Sequence, residues 1–145
     1  MAQALVYIDA DILRDLCHKL AVRYFTIKGE PVGAHDTCDF AKLDAALANP
    51  QHAFAGVDLY PTLQDKAAIL CYGLIKAHAF ENGNKRISVV ALLTFLAIND
   101  VFLDVSPKSL EDWAVFLAES HPKDRDDILR EFSGYLLEGS RPFDQ

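Results

Sequence analysis

"LQDKAAILCYGLIKAHAFENGNKRISVVALLTFLAI", residues 63–98, holds two apolar segments and a polar run between them. In the first, Leu63, Ala67, Leu70, Leu74 and Ala77 recur at spacings of three and four, the period of a helix with one buried face. Pro61 or Thr62 opens it, and His78 stands at its end. The second, "ISVVALLTFLAI" from Ile87 to Ile98, is apolar on every side, which predicts a helix sunk in a core. A bilayer span needs about 20 apolar residues, so this run is too short for one. It stops near Asn99-Asp100. Two long helices joined by a short polar loop, the second buried all round, predict an all-α domain.

Helical periodicity continues on both sides. Upstream, Asp9 is the expected N-cap of a helix reaching about Tyr24, with Ile12, Leu13, Leu16, Leu20 and Tyr24 as its apolar stripe. "IKGEPVGAHD" then breaks the pattern with two glycines and a proline. "DFAKLDAALANP" predicts a short helix with Phe40, Leu43 and Leu47 on one side, closed by Asn49 and Pro50. "QHAFAGVDLYP" has no helical repeat and predicts an extended loop or hairpin. Downstream, helices are expected from Pro107 to about Glu119, with Trp113 in the core, and from Asp124 to about Glu138. Asp124, Arg125, Asp126 and Asp127 read as a solvated start that suits the helix dipole. The expectation is a single-domain bundle of about six helices, residues 1–138, with a tail, 139–145, that leaves the packed body.

At 145 residues and 51% hydrophobic, the chain is long and apolar enough for one core. A formal charge of −7 argues against a general nucleic-acid or anionic-membrane surface, so direct nucleic-acid and membrane partners are not expected. Cys17, Cys38 and Cys71 are widely spaced and lack a metal-ligand pattern. They read as reduced thiols of a cytoplasmic protein, with Cys17 and Cys71 facing the core. The N-terminus, "MAQALVYIDADI", lacks the basic and long apolar regions of a signal peptide.

The run between the two long helices is "HAFENGNKR", residues 78–86. The first turn of the helix beginning near Asn84 exposes backbone N–H groups, and the macrodipole adds roughly half a positive charge there. Gly83 lets a ligand approach the backbone closely. Lys85 and Arg86 add two cations at the end of a helix where cations are unfavourable, so a compensating anion is expected, and a phosphate chain is the natural one. His78 lies just before this nest; an ordinary imidazole titrates near pH ~6.5 and suits proton removal from a hydroxyl. Glu81 and Asn82 offer hard oxygen ligands for a magnesium ion bridging phosphates. A histidine at a helix end and a polar turn are each commonplace as structural features. Together, base, oxygen donors and cradle specify phosphoryl or nucleotidyl transfer to a hydroxyl.

"HAFENGNKR" resembles the signature of the Fic/Doc (Fido) family, H-x-F-x-[D/E]-[G/A]-N-[G/K]-R. "LDAALANPQ", the "YP" before the motif helix and "FLAIND" after the central one are similar to the Doc-type, death-on-curing subgroup. The resemblance implies His78 as general base and Phe80 as an apolar anchor of the loop. It implies Gly83 and Asn84 as the anion hole, Asn84 partly by its side chain, and Arg86 as the partner of nucleotide phosphates. Gln51 to Tyr60 would be the flap that positions a target segment beside the nucleotide.

Lys85 stands where AMP-transferring members have glycine, and Val89 where they have a second arginine. Both resemble the Doc branch, which implies a reversed nucleotide and transfer of the γ-phosphate. The implied activity is a toxin kinase using ATP or another nucleoside triphosphate and Mg2+ on a protein Ser, Thr or Tyr hydroxyl, a translation elongation factor being the family's typical target. The alternatives are an AMP transferase, or a weakened binding module, because Asn82 replaces the usual acidic magnesium ligand and Glu81 alone carries a charge beside it. "SGYLLEG" puts Glu138 five rather than four positions after Ser133, out of phase with the family's inhibitory helix. Restraint would then come in trans, from a Phd-like antitoxin.

Overall fold

The computed structural model describes residues 4–23 and 37–143. Six helices carry the fold among these. Helix α1 runs through Ala10–Ile12, a π-helical stretch Leu13–His18, and Lys19–Arg23. Helix α2 is Phe40–Ala48, followed by a short 3-10 turn Asn49–Gln51. A hairpin of β1, Ala53–Phe54, and β2, Val57–Asp58, leads to α3, Leu63–Ala77, and α4, Asn84–Ile98. Strand β3, Val101–Leu103, precedes α5, Pro107–Glu119; a second 3-10 turn precedes α6, Arg125–Gly139, and β4, Ser140–Pro142, closes the order. The all-α expectation holds, with two small antiparallel hairpins added.

Side-chain caps set where the helices begin. Asp9 accepts from Ile12 N, Asp39 from Lys42 N and Ser106 from Ser109 N. Thr62 and Asp65 form a reciprocal capping box on α3. Helix α4 is the centre: Ile87, Val89, Val90, Ala91, Leu92, Phe95 and Leu96 are all buried. Helix α3 packs chiefly on α4 and α6, with α2 beside it; α1 and α5 complete the cover of α4. No helix among the described residues is long and apolar enough to cross a membrane.

Several expectations need correction. The buried stripe of α1 is Leu13, Cys17 and Ala21, while Leu16 is 42% exposed. The cause is the π stretch, whose wider i→i+5 turn shifts the phase so that every fourth residue faces inward. Phe40 is half exposed, because α2 turns Leu43, Ala46 and Leu47 to the core instead. Residues 139–142 do not leave the body: Gly139 is buried, and Ser140–Pro142 pair with β3, Leu103 opposite Ser140 and Val101 opposite Pro142. Trp113 is only partly buried: it packs against the core with its ring tilted on Phe132 and Tyr135 and edge-on to Phe116. Arg125 is not simply solvated; its Nη2 donates to the Tyr60 hydroxyl. Tyr24 and "IKGEPVGAHD" lie outside the described residues.

Candidate active site

Helix α3 ends on His78, whose backbone takes the left-handed conformation, φ 47° and ψ 45°. Histidine tolerates that region better than most side chains, at some cost in strain. The turn throws the imidazole outward, and His78 is exposed. Five residues later Gly83, at φ 83°, turns the chain again and caps α4 without a side-chain bond. A positive φ suits glycine there. These two turns place an accessible imidazole and the N-terminus of a 15-residue helix at opposite ends of one short loop.

The loop is fastened from inside. Ala79 and Phe80 are buried, 4% exposed each, and Phe80 stacks on His18 of α1 with ring centroids 5.7 Å apart. Ala79 O accepts from Asp39 N at 2.7 Å, which joins the start of α2 to the loop. Asn84 closes it: Oδ1 accepts from Phe80 N at 3.1 Å and Nδ2 donates to Phe80 O at 2.7 Å. Both polar atoms of that side chain therefore brace the loop's own backbone. Ser88 Oγ in turn donates to Asn84 O.

The two cations differ. Arg86 is 9% exposed and its Nη1 donates to Ala21 O of α1 at 3.3 Å, while Lys85 is half-buried. Helix α1 borders a cavity of about 690 Å3, lined among the described residues by His18, Lys19, Val22 and Arg23. Three of those four side chains are basic types, in a chain of charge −7, and the volume falls within the usual range of small-ligand sites. Lys76 plays no part at the loop: its Nζ donates to Ser120 O at 2.6 Å and caps the end of α5.

Glu81 and Asn82 are both exposed on the outer side of the loop. Among the described residues, no three His, Cys, Asp or Glu side chains come together. A magnesium ion bound through phosphates and waters takes only one or two protein ligands, and the Glu81 carboxylate and Asn82 amide are the exposed side-chain oxygens on this loop that could serve.

The hairpin preceding α3 turns through Ala55 and Gly56, both at positive φ, the two-residue turn that matches strand twist. Phe54, Val57 and Leu59 on it are 77%, 67% and 53% exposed. Sequence reasoning missed what holds it. Lys66 sits on the apolar face of α3, three residues after Leu63 and four before Leu70, and is buried against the hairpin's base. A cation within an apolar stripe was the available signal.

The family model described as "Fic/DOC family" matches residues 7–96. The protein "Toxin Doc" of Mycolicibacterium smegmatis (strain ATCC 700084 / mc(2)155) is 43% identical over 99 residues, 67% of this chain and 75% of that one. No solved structure matches the chain. The matched residues include α1, the hairpin, the loop and nearly all of α4, so the chain belongs to the Fic/Doc family.

Proposed function

We propose that this protein is a Doc-like toxin that transfers the γ-phosphate of a nucleoside triphosphate to a hydroxyl of a target protein. The observation that carries the reading is the pair of left-handed turns at His78 and Gly83, which put an exposed base and a helix N-terminus bearing Lys85 and Arg86 at the two ends of one braced loop. The relative called Toxin Doc supports the biological role. Lys85, in place of the glycine of AMP-transferring members, supports transfer of the terminal phosphate.

In this reading the phosphates lie at the start of α4, where backbone N–H groups and two cations offset their charge. Arg86, held by Ala21 O, presents a fixed guanidinium. His78 takes the proton of the target hydroxyl as its oxygen attacks the γ-phosphorus, and the nucleoside diphosphate leaves. Asn82 and Glu81 would hold magnesium, which when bound offsets phosphate charge. The basic cavity along α1 receives another part of the nucleotide. An antitoxin acting in trans is the expected restraint.

A second reading, a nucleotide-binding relative with weak transfer, draws on Asn82. An amide oxygen lacks the charge of the usual carboxylate and holds magnesium less tightly.

Expression of the native chain and of His78→Ala tests the proposal, with γ-labelled and α-labelled ATP added to lysates. Growth arrest and γ-label on protein, both lost with His78→Ala, are expected. Label from the α-position on protein would establish AMP transfer instead. Equal growth and no label with either chain would favour the binding module.

A further inference from the structure

Lys66 is 2% exposed, as deeply buried as the apolar core around it. Its Nζ donates to Pro50 O at 3.0 Å, meets Asp58 Oδ2 at 3.2 Å and lies 5.9 Å from the ring centre of Tyr7. Pro50 precedes β1 and Asp58 ends β2, opposite Ala53 in the ladder. One ammonium thus grips both ends of the hairpin.

Burying an ammonium is costly unless acceptors meet it, and an uncharged side chain of similar length would fill this space without that cost. What only the ammonium supplies is the simultaneous hold on a carbonyl and a carboxylate. Asp58 is about half exposed, so water reaches the outer side of the pair. The Tyr60–Arg125 bond fastens the chain again just beyond the hairpin, this time to α6. Lys66 lies twelve residues before His78 on the same helix, about 18 Å along its axis. Helix α3 therefore carries the hairpin's anchor and the candidate base on one rigid rod.

We propose that Lys66 is a positioning residue whose ammonium, holding Pro50 and Asp58, sets the pose in which the hairpin presents a target segment to His78. The inference rests on the reading of residues 51–60 as the target-positioning flap. It separates two functions of the site: nucleotide capture depends on the loop and α4, and target presentation depends on Lys66.

The test uses the full chain, native and as Lys66→Met and Asp58→Asn. The Asn variant changes a half-exposed position and tests the grip even where the Met variant fails to fold. Three quantities are measured: hydrogen exchange of the Leu59 amide, which bonds to His52 O at 3.0 Å; affinity for a fluorescent ATP analogue; and γ-phosphate transfer into lysate proteins. Both variants should exchange Leu59 at least tenfold faster and transfer at least tenfold less, with nucleotide affinity within twofold of native. Unchanged exchange would overturn the proposal. So would full transfer despite faster exchange, or an affinity loss that matches the transfer loss. If the native chain itself labels no protein, the proposed function fails, and the exchange rates alone decide whether Lys66 holds the hairpin.

Discussion

Asn84 is a motif residue whose side chain turns inward. Its two polar atoms replace a missing turn of helix between Phe80 and α4, bonding the N–H and C=O of one buried residue. Removing them in Asn84→Ala strands two main-chain groups beside the core, which costs about 2–4 kcal/mol. For a chain of this size the melting temperature should fall by roughly 7–13 °C. Asn84→Asp keeps the acceptor, loses the donor to Phe80 O, and should fall between the two in calorimetry. An unchanged melting temperature with weakened nucleotide binding would instead make Asn84 primarily a ligand contact. At this scale the sequence displays residue types but not what they bond. His78, Lys85 and Arg86 stand out as candidates in the sequence because a base and adjacent cations at a helix start demand an anion. The inward brace of Asn84 was not, because it depends on Gly83 turning left-handed in three dimensions.

Helix α6 shows how an element's end is set by what lies beyond it. Gly134 and Gly139 are both in this helix, and by propensity each should gain from replacement with alanine. Their surroundings reverse one sign. A Cβ at Gly134 meets nothing within 4 Å, so Gly134→Ala should stabilise by about 0.4–1 kcal/mol. A Cβ at Gly139 falls 2.6 Å from Val105 Cγ1 and 3.0 Å from Leu103 Cδ1, so Gly139→Ala should destabilise by about 1–3 kcal/mol. Urea unfolding of the pair checks it, and a gain in both would mean that Leu103 and Val105 move aside freely. The clash exists because β4 continues from Gly139 to pair with β3, a contact between segments far apart in sequence. That is why "GSRPFDQ" read as a loose tail, whereas the six helices were legible from local period and caps. The π stretch of α1 was hidden for a related reason: its sequence is compatible with ordinary helix, and only packing against α4 fixes the phase.

For the whole molecule, the buried thiols connect the core to pH. Cys17, Cys38 and Cys71 are all buried. Burial pushes Cys17 up to about 11, partly offset by a hydrogen bond with Thr94, and pushes Cys71 up to about 12. In the unfolded chain a thiol titrates near pH ~8.5–9. Between about pH 9 and 11, the unfolded state therefore releases protons that the folded state keeps. Fewer bound protons on the unfolded side make the stability slope negative, so stability present below pH ~8.5 is lost as pH rises. Each thiol should contribute a loss of about 2 kcal/mol by pH ~10.5. Other groups titrate in the same range, so the comparison is between the native chain and Cys71→Ala, unfolded by urea under reducing conditions at several pH values from 8 to 10.5. The variant starts lower because of the atoms removed from the core, but its curve should fall less steeply, and the gap should narrow by about 2 kcal/mol. Alkylation follows the same physics: iodoacetamide at pH 8 should modify neither Cys17 nor Cys71 without prior unfolding. Parallel stability curves, or rapid labelling of the folded chain, would show that the core at Cys71 opens to water.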